Sequence, residues 1–319
     1  MNFVKIKIDE IINLSELSTK YEMTIDEIIQ FHNTHCDLHE ILPLRLEKYT
    51  SHLYLPKDKY DNWAAQQVSP KKIIPRSVYD KKTYGVVIKG TSKNESTKIH
   101  YLIDVQRNGN SLKIHQHQVF MNDQEVNSLT EKLLETAGKS LYPLELLLNE
   151  NDEILEISNT KEIRDRWTNN YLPELQNYYK DQVAEELINK LQLFFNDSNA
   201  QLKDLYKNIF INLYLLPIYK NISNTEKVIS RSIYSSILNQ WVPFSILTKY
   251  QKTFTKNQKI EVVLDGISNS DSEKINSSNL HFTYHLDKLN NCITSIHGFI
   301  DYEFEDDEIS TFVDIYLQK

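Results

Sequence analysis

Cysteine is nearly absent from this chain: Cys36 and Cys292 are its only two, and most of the sequence separates them. Such a pair makes no disulfide framework, so reduced thiols and a cytoplasmic setting are expected. Glycine is also scarce, at 6 residues in 319. No Walker loop, Rossmann glycine pattern or Gly-x-Ser-x-Gly elbow occurs, and phosphate cradles made of glycine backbone are hard to build. No run of about 18 apolar residues exists, so no membrane span is expected. The richest stretch, Ile209 to Tyr219, is shorter and contains Asn212 and Pro217. Basic charge is outweighed, with 36 Lys and Arg against 44 Asp and Glu. The net charge of −8 argues against nucleic acid as a partner, because phosphate binding needs a basic footprint. The opening residues alternate apolar and polar, unlike the apolar core of a signal peptide.

What is present is globular: 40% hydrophobic and 25% charged residues, enough to bury a sizeable core. Residues 3–8 alternate as a strand. From Ile11 to Tyr21, Ile11, Leu14, Leu17 and Tyr21 fall at helical spacing. Thr24-Ile25-Asp26-Glu27 is a capping box that opens a second helix carrying Ile25, Ile28 and Ile29. A polar stretch follows, then the short strand Leu53-Tyr54-Leu55-Pro56.

The order strand–helix–helix–strand, with LSELSTKYEMTIDEIIQFHN in the middle and LYLP at the end, resembles the LysM module over residues 3–56. The resemblance implies two helices packed on one face of a two-stranded antiparallel sheet. Many members of that family bind N-acetylglucosamine glycans such as peptidoglycan or chitin. The matching positions are Leu14, Leu17, Tyr21, Ile25, Ile28, Asn33 and Leu53 to Pro56. The family's Gly-Asp-Thr turn, which lines its sugar groove, is here Asp9-Glu10-Ile11. A carboxylate and a β-branched side chain occupy a turn where glycine would let a sugar approach. Asp9, Glu10, Ile11 and Asn33 are therefore the candidate contacts to a glycan or a partner, with a protein expected ahead of a sugar.

Residues 57–82, with Pro70 and Pro75, are expected as a linker. The body, 83–319, starts with strands at Tyr84 to Lys89, Lys98 to Gln106 and Ser111 to Phe120. Asn108-Gly109 between the last two predicts a type I′ hairpin. A helix follows over about 128–139, then the hairpin 144–157. The spacing next predicts a helix from Thr160 to Trp167, a long one from Pro173 to Phe195, and another over about 199–215. Strands return at 259–264, 280–286, 292–304 and 311–317. No parallel βαβ rhythm appears. The expected fold class is α+β: the LysM-like βααβ module, then a curved or half-barrel antiparallel sheet covered by the central helices. In architecture such a body resembles the shells of lipoprotein carriers.

The densest group of potential ligands is His32, His35, Cys36 and His39. On a continued helix, His32, Cys36 and His39 would share one face, and imidazole with thiolate suits zinc. A helix ending near Asn33 puts them in a polar loop instead, and that reading leads; no metal and no cofactor are expected. His115 and His117, and likewise His281 and His285, share a face of their strands, as polar sheet faces also require. Glu145, Glu153 and Glu156 surround a hairpin, but no sequence spacing fixes a carboxylate pair of the kind glycoside hydrolysis needs. The chain thus reads as a non-catalytic adaptor holding a protein partner. LysM-bearing components of bacterial contractile injection machines, including type VI secretion systems, work from the cytoplasm and supply a setting. The alternatives are a peptidoglycan-binding protein and a metal-dependent hydrolase.

Overall fold

The computed structural model describes residues 2–8, 13–43, 50–66, 73, 78–93, 95–125, 129–219, 226–268, 275–304 and 307–318. The chain divides into two compact units, Met1–Ser69 and Pro70–Lys319.

In the first unit, β1 (Phe3–Lys7) leads to α1 (Leu14–Tyr21) and α2 (Ile25–His35). A 3-10 turn over Leu38–Glu40, β2 (His52–Pro56) and α3 (Lys57–Gln66) complete it. Each early helix begins where a side chain satisfies free amides. Asn13 Oδ1 accepts from the amides of Ser15 and Glu16 at 3.1 and 3.2 Å. Thr24 and Glu27 close the expected capping box. β1 and β2 pair antiparallel from Phe3↔Pro56 to Lys7↔His52. Tyr21, Ile28, Ile29, Leu42, Leu53 and Leu55 form a core of their own.

Two boundaries differ from expectation. α2 runs through His35, past Asn33. The start of the expected linker is helix α3, and Tyr60 and Trp63 pack against the core, with Trp63 edge-on to Tyr21 at 5.5 Å. Three-residue spacing puts those two rings on one helical face, a pattern too short to stand out from its polar surroundings.

The second unit opens with β3 (Val78–Ser92), five residues ahead of the expected strand region, then β4 (Glu95–Asn108), β5 (Ser111–Met121) and β6 (Gln124–Glu125). Next come α4 (Leu129–Leu141), β7 (Leu144–Leu148) and β8 (Ile154–Ile157). α5 (Thr160–Arg166) continues through a π-helical turn at Trp167–Tyr171 into α6 (Leu172–Tyr178). α7 (Gln182–Asn196), α8 (Ser198–Leu205) and α9 (Ile209–Tyr214) follow. The chain then returns to strands with β9 (Glu226–Ser235), β10 (Gln240–Tyr250), β11 (Lys259–Ser268), β12 (Ile275–Asp287), β13 (Ile293–Phe304) and β14 (Asp307–Leu317).

All these strands join one antiparallel sheet, in the order β8-β7-β5-β4-β3-β14-β13-β12-β11-β10-β9, with β6 on β5. Strict alternation gives it one apolar face: Ile260, Val262 and Leu264 of β11 are buried, while Glu261 and Asp265 are not. The helices cover that face in a shared core containing Trp167, Phe195, Phe210 and Leu213. Tyrosines of the sheet pin the chain that lies over it. Tyr284 donates to the Leu213 carbonyl at 2.9 Å and Tyr250 to that of Ile218 at 3.0 Å.

Candidate functional site

In the first unit, Asn33 acts on its own backbone. Its Nδ2 donates to the Leu42 carbonyl at 2.8 Å, and the Leu42 amide donates to its Oδ1 at 2.7 Å. That clamp fixes the loop after α2 and occupies both ends of the side-chain amide. Asp9, Glu10 and Ile11 lie outside the described residues.

His32 is fully buried. Its Nε2 bonds the Glu40 carbonyl at 2.9 Å, and its Nδ1 accepts from the Tyr54 amide at 3.2 Å. These partners fix a neutral imidazole with a proton on Nε2, and burial holds its pKa below the usual value. His35 donates to the Phe31 carbonyl at 2.8 Å and stacks on the Phe31 ring. Cys36 ends α2, and His39 sits in the 3-10 turn that follows. The structure therefore does not bring His32 to a ligand position beside Cys36 and His39: both of its nitrogens hold backbone. Glu40, not singled out in the sequence, is buried and takes a hydrogen bond from Ser51 Oγ. That bond, aided by His52, lowers its pKa.

In the second unit the sheet's path begins at β8 and ends at β9, and those terminal strands meet across one side chain. Tyr206, just after α8, donates from its hydroxyl to the Ile154 carbonyl of β8 at 3.1 Å. The guanidinium of Arg231 on β9 lies 5.9 Å from the centre of the same ring. A cleft of about 740 Å³ opens at this seam, lined by Glu153, Leu155, Lys203, Lys207 and Trp241 as well as Tyr206 and Arg231. Strand alternation places Arg231 in the row of Ile229 and Ile233, and Ile233 is part of the core. Lys207 pairs with Asp204 at 2.9 Å and lies over the Tyr234 ring, which in turn contacts Trp241 edge-on. Lys203 and Arg231 come from a helix and a strand far apart in the chain, so no basic run in the sequence marks them.

A second cleft, about 1080 Å³, lies between the later half of β5, α4 and α6, lined by His115, His117, Glu135, Tyr142 and Tyr179 among others. His117 bonds Asp104 at 3.0 Å, and Asp104 also takes bonds from Thr83 and Lys81. Burial pushes the His115 pKa down. His281 and His285 are cross-strand partners of Asp265 and Glu261, with His281 bonded to Asp265 at 2.7 Å. Glu145 pairs with Lys113 at 2.7 Å, and Glu153 accepts from Asn149 at 2.8 Å. Among the described residues no three His, Cys, Asp or Glu side chains gather to hold a metal ion, and no helix is long and apolar enough to cross a membrane.

No protein-family model matches the chain, and no curated protein matches it by sequence. A solved structure concerning lipid–protein interactions in lipovitellin aligns at a TM-score of 0.40 and 10% identity over 78% of this chain. The chain spans only 26% of that protein's chain. At that score the likeness carries no argument.

Proposed function

We propose that the chain is a non-catalytic binding protein, an adaptor whose LysM-like first unit holds a protein partner. The reading rests on the first unit's order of elements, with a core of its own and its first and last strands paired from Phe3↔Pro56 to Lys7↔His52. The choice of protein over glycan is supported by Asn33, whose amide is taken up by the Leu42 backbone. The side chain that the LysM resemblance assigns to the sugar groove thus already spends one donor and one acceptor on its own backbone. A bacterial assembly such as a contractile injection system, worked from the cytoplasm, is the setting that the LysM resemblance offers.

Calorimetry of residues 1–69 with a long N-acetylglucosamine oligomer tests the reading. Binding no tighter than about 1 mM is expected. Micromolar affinity would overturn the adaptor role and promote the cell-wall glycan in its place.

A further inference from the structure

The chain as a whole is acidic, yet the seam between β8 and β9 is not. Its charged lining is Lys203, Lys207 and Arg231 against Glu153 alone. Lys207 has Asp204 as counter-ion. Among the described residues Lys203 and Arg231 have no carboxylate partner. Arg231 is partly buried on β9 and faces the cleft. Its guanidinium lies over the face of Tyr206, a contact that leaves its hydrogen-bonding edge available to an anion.

A second observation is independent of charge. Asn212 on α9 lines the same cleft and is only 2% exposed. Its Nδ2 donates to the carbonyls of Tyr206 and Asn208, but its Oδ1 has no hydrogen-bond partner. A buried acceptor left open in a native fold is uncommon and calls for a donor. The cleft also offers aromatic surface, since Trp241 is 44% exposed at its rim. Its volume of about 740 Å³ falls within the range of small-molecule sites.

Cations without counter-ions, an open buried acceptor and an exposed indole together specify a ligand. We propose that the seam cleft binds a small organic anion bearing a planar ring and a hydrogen-bond donor. Its anionic group pairs with Arg231 and Lys203, its ring lies against Trp241, and its donor reaches Asn212 Oδ1. The site belongs to the second unit and stands whether or not the first unit holds a protein.

The test is calorimetry on the full chain in about 0.15 M salt with adenosine monophosphate, phenyl phosphate and 4-aminobenzoate, and with adenosine and inorganic phosphate as half-ligands. At least one of the three ring-bearing anions should bind with a dissociation constant below about 1 mM, and more tightly than either half-ligand. Arg231→Gln and Lys203→Gln should each weaken it about tenfold, as loss of one charge-assisted contact does. Trp241→Ala, at an exposed rim position, should weaken the ring-bearing anions and leave inorganic phosphate unchanged. Absence of binding by all three at about 10 mM, or affinity unchanged in both charge variants, overturns the proposal. Circular dichroism of each variant confirms that the fold is retained.

Discussion

At the scale of single residues, the polar side chains that look most chemical in the sequence do structural work on distant backbone. His32 and Asn33 sit side by side at the end of α2, but they bond positions 40, 54 and 42. No local spacing reveals partners so far along the chain, so a ligand cluster and a loop clamp look the same in the sequence. The two roles respond differently to pH. His32 is held neutral in the fold with its pKa below the ordinary 6.5, so below that value the unfolded chain takes up the proton first. Stability contributed at this site is therefore intact above pH 6.5 and declines as pH falls, levelling off below the folded pKa. Thermal melts of residues 1–69 should show a lower midpoint at pH 5 than at pH 7.5. His32→Gln should be less stable at pH 7.5 by about 1–3 kcal/mol, since one backbone partner is left open, and should lose part of that pH slope. Equal slopes in both proteins would assign the effect to other groups. The Arg107–Asp152 pair, at 2.5 Å with both side chains nearly buried, makes the opposite demand. Asp152→Asn removes the charge that balances a buried guanidinium, and denaturant unfolding should show a loss of about 3 kcal/mol.

Elements were legible where their periodicity was uninterrupted and illegible where a single cap cut it. The hairpin at 108–111 appears as expected, but its loop is Gly109-Asn110 closed by Asn108↔Ser111. Only Gly109 has positive φ, at 59°, the pattern of a II′ turn and not the I′ turn the sequence suggests. The apolar stripe from Leu175 to Phe194 predicts one long helix, yet Asp181 accepts from the Ala184 amide and starts α7 anew. Asn208 does the same for Ile211 and separates α9 from α8. A capping side chain competes with helix continuation, and it leaves the stripe on either side unchanged. β9 and β10 lie where the sequence predicts no strand: Pro243 speaks against one, but it falls in the part of β10 that pairs with β9 before β11 joins at Ser245. α3 is the difference with the largest consequence, because it moves the edge of the first unit beyond residue 56. Residues 1–56 lack the Trp63 and Tyr60 rings that cover Tyr21. A fragment ending at 69 should therefore unfold cooperatively and at higher temperature than one ending at 56. Trp63→Ala in the longer fragment should cost about 2 kcal/mol, less than a fully buried tryptophan because the ring is only partly covered. Identical melts for the two fragments would return α3 to the linker.

The topology of the whole second unit sets up an asymmetry between its two chain ends. The unit's first strand, β3, pairs with its last, β14, from Tyr84↔Leu317 to Thr91↔Ser310. The final strand is therefore no appendage. It lies between β3 and β13, in the middle of the sheet, with Val313 and Ile315 in the core and its other side paired with β13 from Phe304↔Asp307 to Ser295↔Tyr316. Among the described residues, the two halves of the sheet, β8 to β3 and β13 to β9, are joined by backbone hydrogen bonding through it alone. Such a join, made between strands more than 200 residues apart, carries a large closure cost and must form late or slowly. Once formed, it is supported by ladders on both sides, whereas, among the described residues, the first unit's core is a separate cluster from that of the second. Removing residues 1–69 should therefore leave a body that unfolds cooperatively, with its near-ultraviolet dichroism intact. Removing residues 307–319 takes far fewer residues but strips both ladders at the centre, exposing two edges to aggregation. That shorter truncation should lose the cooperative transition and give the more aggregation-prone product. If the 1–306 fragment melts like the full chain, β14 is dispensable and the sheet's halves are held together by the helices instead.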